Sequence, residues 1–117
     1  MESISSDPSS GSENEAVHFE DVHVEPWPDG RRVRVHITLS PFSRHPSLEA
    51  ALLTDSGEEI SHLHIIETPE NKMVFTMHLR GIELPTALML QTRIYFEDEV
   101  TLDEKQIHFI VEETNNP

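Results

Sequence analysis

Between Arg32 and Leu39 the chain reads Arg-Val-Arg-Val-His-Ile-Thr-Leu, apolar at every second position and polar at every position between. Successive side chains leave a strand on opposite faces, so a period of two calls for a strand with one buried face. Val33, Val35, Ile37 and Leu39 are assigned to a core, and Arg32, Arg34, His36 and Thr38 to solvent. A chain committed to this pattern at one point needs further strands to pair with it and a second layer to cover its apolar face.

The same period recurs. A first strand from about Val17 to Val24 changes parity midway, because Val17 and Phe19 belong to one face and Val22 and Val24 to the other; a bulge near Glu20 and Asp21 reconciles them. Pro26-Trp27-Pro28-Asp29-Gly30 turns the chain into the second strand, Arg31 to Ser40, which Pro41 stops. Leu48 to Thr54 is the third strand, with Leu48, Ala50 and Leu52 inward, although its residues are also friendly to a helix. Asp55-Ser56-Gly57-Glu58 is the strongest hairpin signal. The fourth strand, Glu59 to Glu67, has an ambiguous phase: Leu63 and Ile65 point one way, His62, His64 and Ile66 the other. Met73 to Arg80 alternates cleanly as a fifth, Leu88 to Phe96 as a sixth, and after an acidic turn from Glu97 to Glu104 the seventh runs from Lys105 to Val111.

Seven short strands in about a hundred residues predict an all-β, seven-stranded antiparallel two-sheet sandwich over residues 16–112, with a disordered acidic tail at 1–15 and a disordered end at 113–117. The pattern resembles immunoglobulin-like domains, and its strand order is similar to that of fibronectin type III domains. Ile82-Glu83-Leu84-Pro85-Thr86-Ala87-Leu88 looks like the link into that family's sixth strand. The family usually carries a tyrosine just after this link and a tryptophan in the second strand; here those places hold Leu88 or Met89 and a valine-rich run. What the resemblance implies is the fold, with strands one, two and five in one sheet; such folds host many unrelated functions.

Charge narrows the function classes. With 22 acids against 8 bases, the formal charge of −14 opposes nonspecific attraction to nucleic acid or to an anionic membrane. The absence of cysteine excludes disulfides, thiolate metal sites and thiol nucleophiles, and fits a cytoplasmic location; the first residues have neither the basic start nor the apolar segment of a secretory signal. No phosphate loop, nucleophile elbow, His-Glu-x-x-His or dinucleotide fingerprint is present, so no catalytic residue and no cofactor are assigned. The expectation is a noncatalytic protein-binding or assembly module, monomeric or weakly dimeric through an edge strand.

Eight histidines are the compositional anomaly. His62 and His64, two residues apart on one strand face, are the candidate metal ligands of an alternative reading, with Glu49 or Glu67 as a third. In the fibronectin-like order the outer face of strands one, two and five carries His18, His23, Arg34, His36, His78 and Arg80, a positive or proton-switchable patch suited to an acidic partner. Charging all eight histidines would bring the formal charge from −14 to −6. The competing reading is mutual neutralisation by cross-strand acids. Trp27 and Phe42, each in a loop, either anchor a partner or cap an end of the core. Trp27, Arg34, His36, Phe42, His78 and Arg80 are therefore the candidate partner-binding residues.

Overall fold

The alternating run places the core. Val33, Val35, Ile37 and Leu39 are essentially fully buried, while the residues between them are only half-buried. The computed structural model describes residues 17–96 and 100–112. Among these residues the strands in chain order are β1 (Phe19–Pro26), β2 (Arg32–Leu39), β3 (Ser47–Thr54), β4 (Glu59–Ile65), β5 (Lys72–His78), β6 (Thr86–Tyr95) and β7 (Thr101–Val111). They form two sheets, β1-β2-β5 and β4-β3-β6-β7, with every pairing antiparallel. This is the expected sandwich, in the expected grouping of strands. The segments 1–15 and 113–117 read as disordered, and Glu97, Asp98 and Glu99 of the acidic turn, lie outside the described residues.

β3 is a central strand between β4 and β6, and its helix-friendly composition is overruled by burial. Leu48, Ala50 and Leu52 are completely inaccessible. Burying a leucine contributes roughly 1.5–3 kcal/mol, against helix-propensity differences of under about 0.7 kcal/mol per residue. Leu88, Leu90 and Ile94 of β6 continue this apolar face within the same sheet, and Val22 and Met77 of the other sheet belong to the same core cluster. Thr92 shares the inward parity of β6; its buried hydroxyl donates to the carbonyl of Lys105 at 3.0 Å, so this polar group is not stranded in the core.

The bulge in β1 falls where the parity change requires it, between Phe19 and Asp21. β1 also continues to Pro26, which the sequence had placed in the turn; β1 is an edge strand, where a residue without an N–H is tolerated. The phase of β4 is set by its neighbour: Leu63 pairs with Ala50 and Ile65 with Leu48, which turns both toward the core and leaves His62, His64 and Ile66 exposed. β4 ends at Ile65 and β5 at His78, short of Glu67 and Arg80. β7 is the larger departure. It starts at Thr101, not Lys105, because Asp103 and Glu104 pair with Ile94 and Arg93 of β6 and an Asp103 oxygen accepts the N–H of Phe19 at 2.9 Å.

Two turns position the surfaces described below. The hairpin between β3 and β4 closes with Gly57 at φ 88° and the Thr54 N–H donating to the Glu58 carbonyl at 2.9 Å. In the turn before β2, the Gly30 N–H donates to the Trp27 carbonyl at 3.0 Å, and Gly30 takes φ 67°. A Cβ at Gly30 would overlap Leu84 Cδ1, so glycine there lets the β1–β2 turn lie directly against the link between β5 and β6.

Candidate functional site

The outer face of β1-β2-β5 is built by register. His23 lies opposite His36, Glu25 opposite Arg34, Arg32 opposite His78, and His36 also opposite Val74. The imidazoles of His23 and His36 stack with centroids 4.3 Å apart and planes 8° from parallel. Each has its own carboxylate: His23 Nδ1 is 2.7 Å from Asp21 Oδ2, and His36 Nε2 is 3.1 Å from Glu25 Oε1. Arg34, facing Glu25 in register, turns elsewhere. Its guanidinium carbon lies 5.4 Å from the Trp27 ring centroid and that of Arg32 lies 4.2 Å from it, within the reach of cation–π attraction. Arg32 additionally meets Asp29 at 3.5 Å.

Trp27 is half-buried and belongs to this surface; it is not part of the core cluster. Trp27, Arg34 and His36 are thus brought together, with Arg32 and His23, neither of which is in the sequence-derived binding set. Val74, 59% exposed, extends the patch with an apolar contact. His78 and Arg80 stand at the end of the same sheet, beside the Gly30 turn. Phe42 is not brought to the patch. It follows the far end of β2, about 25 Å along the strand from the Trp27 turn, packs against the core and holds its ring centroid 5.6 Å from that of His45.

The outer face of the other sheet gathers a second polar cluster. Glu49 on β3 receives two groups: His62 Nε2 at 3.0 Å from one carboxylate oxygen, and the Arg93 guanidinium donating to the other at 3.0 Å. Hydrogen bonding from Arg93, then from His62, holds the Glu49 carboxyl below its ordinary value of 4.5 against an opposing effect of burial. Arg93 also donates to Thr101 Oγ1 at 3.1 Å and lies 4.3 Å from the Tyr95 ring centroid, and Tyr95 OH contacts His64 Nε2. The short side chain of Ala51 beside these long ones leaves a groove of about 230 Å³, walled by Glu49, His62, Gln91, Arg93 and Gln106.

His62 and His64 share the exposed face as their spacing predicts, with ring centroids 6.3 Å apart. The Nε2 of each is engaged by a different protein partner. Of the two proposed third ligands, Glu49 meets His62, whereas Glu67 sits beyond β4 with φ 52° and its N–H donating to Ser47 Oγ. Among the described residues no three His, Asp or Glu side chains converge as a metal-ligand set. Sequence reasoning missed Tyr95 as the partner of His64 and Arg93 as the partner of Glu49; β6 parity puts both on the outer face, but only the register of β6 on β3 sets Arg93 opposite Glu49.

No protein-family model and no curated protein matches the sequence. Solved structures do match in fold. The chain is similar to part of a glycosyl hydrolase family 2 member from Bacteroides cellulosilyticus, at 16% identity and TM-score 0.62, over 82% of this chain and 14% of that one. It is similar to part of a family 76 glycoside hydrolase from a bovine Bacteroides thetaiotaomicron strain, at 8% identity and TM-score 0.66, over 80% of this chain and 20% of that one. A beta-glucuronidase from Bifidobacterium dentium matches at 10% identity and TM-score 0.57, over 81% and 18%. The chain therefore spans a fifth or less of these proteins, and at such identities the likeness defines a β-sandwich fold.

Proposed function

We propose that this chain is a noncatalytic β-sandwich module of the accessory kind, which docks an acidic protein surface through the outer face of β1-β2-β5. The observation that carries the reading is the Trp27 ring with the guanidinium groups of Arg32 and Arg34 over it, next to the stacked His23 and His36. Tryptophan and arginine dominate the energetics of protein interfaces, and a guanidinium already held over an aromatic ring loses little freedom when it meets a carboxylate. Cationic groups concentrated on one face of a chain with net charge −14 favour an acidic partner there and repel one elsewhere. The place of the similar sandwiches, as minor parts of larger glycoside hydrolases, supports an accessory role without chemistry of its own.

The test is an amide NMR titration with a polyglutamate peptide at low salt. Saturable shifts confined to β1, β2 and β5, and their loss in the Arg32→Gln/Arg34→Gln double variant, are the expected result. Shifts on the β4-β3-β6-β7 face, or shifts untouched by the double variant, would refute the reading.

A further inference from the structure

Where the Gly30 turn lies against the β5–β6 link, the end of the sandwich is concave. The depression is about 580 Å³, within the roughly 300–1,000 Å³ of small-molecule sites. Arg31, His78 and Arg80 line it, and among the described residues none of their side chains has an ion-pair or hydrogen-bond partner. The one acid on the wall is already committed: Asp29 Oδ1 accepts the Arg31 N–H at 2.9 Å, and Oδ2 faces Arg32 at 3.5 Å. Three basic residues sharing a wall with a single, already engaged carboxylate are out of keeping with a chain holding 22 acids. Leu79, Ile82 and Leu84 supply an apolar part of the lining.

From this geometry we infer a binding site for a small organic phosphate. The phosphate group sits between the guanidiniums of Arg31 and Arg80, with His78 beside it, and the organic body lies against Ile82 and Leu84. Two guanidiniums match a phosphate monoester, which carries about −1.5 to −2 charges at neutral pH, better than they match a lone carboxylate; their planar forks suit its oxygens. The volume exceeds what a bare phosphate ion fills, which is why an ester rather than the free ion is the ligand. The site is separate from the docking patch at Trp27 and does not rest on it.

The experiment is an amide NMR titration of the full chain with glycerol 3-phosphate at fixed ionic strength, alongside glycerol and succinate. The expected result is saturable shifts at Arg31, Leu79, Arg80 and Gly81 with the phosphate ester. Affinity should fall about tenfold or more in Arg31→Gln and in Arg80→Gln. Both side chains are exposed, so the variants keep the fold. The Arg34→Gln variant should bind the ester as before, which separates this site from the docking face. Shifts that do not saturate, that succinate reproduces at equal concentration, or that survive both substitutions would overturn the assignment.

Discussion

At Glu49 one carboxylate serves two basic partners on different strands, Arg93 of β6 and His62 of β4, and so ties three strands together across an exposed face. Its folded pKa is lowered, so the carboxylate contributes stability above the unfolded value, near 4.5, and that contribution is lost as pH falls through the folded value. Glu49→Gln is expected to unfold more readily than the parent at pH 7 and to converge on it in acid, in urea denaturation repeated from pH 7 to pH 3. The side chain is 34% exposed, so screening keeps the difference small. The histidines of this cluster were legible from their spacing alone. Glu49 was named beside them, but Arg93 and Tyr95 were not, because a contact such as Glu49 with Arg93 joins residues 44 positions apart and exists only once register is fixed.

Among the strands, legibility followed the strength of alternation. β2, β5 and β6 present inward and outward residues in turn as their alternation predicts, and the inward set assigned to β2 is the buried one. β7 was read four residues short because Thr101-Leu102-Asp103-Glu104 has turn composition, and what holds it extended is a contact from the other sheet: Asp103 accepting the Phe19 N–H, 84 positions away. β1 lies alongside β7 at this point, so Asp103 acts as a clasp between the two sheets. Asp103→Ala should cost about 1–2 kcal/mol, the loss of a charge-assisted bond that leaves a partly buried N–H without its partner. Hydrogen exchange at Phe19 should accelerate while exchange in β3 and β6 stays slow, which distinguishes local release of the clasp from general loosening of the fold.

Over the whole molecule, charge is segregated. Of the 8 lysines and arginines, Arg31, Arg32, Arg34, Lys72 and Arg80 all belong to the β1-β2-β5 sheet or its ends, while the chain as a whole carries −14. A partner attracted to that sheet is steered by field as well as by contact, and such steering weakens as the screening length shrinks from about 10 Å at 0.1 M salt toward 3 Å at 1 M. Polyglutamate binding should therefore weaken by about tenfold between 50 and 300 mM sodium chloride, measured by calorimetry, whereas an apolar docking face would show little dependence. None of this segregation could be read from the net charge, since it depends on which strands share a sheet.

Trp27 is the only tryptophan in the chain, and two guanidiniums lie over its ring. The molecule therefore carries its own optical reporter at the proposed docking face. Its indole emission comes from that one place, so any partner that draws Arg32 or Arg34 away must change the colour or intensity of the light, and a partner that binds elsewhere leaves it dark to the event.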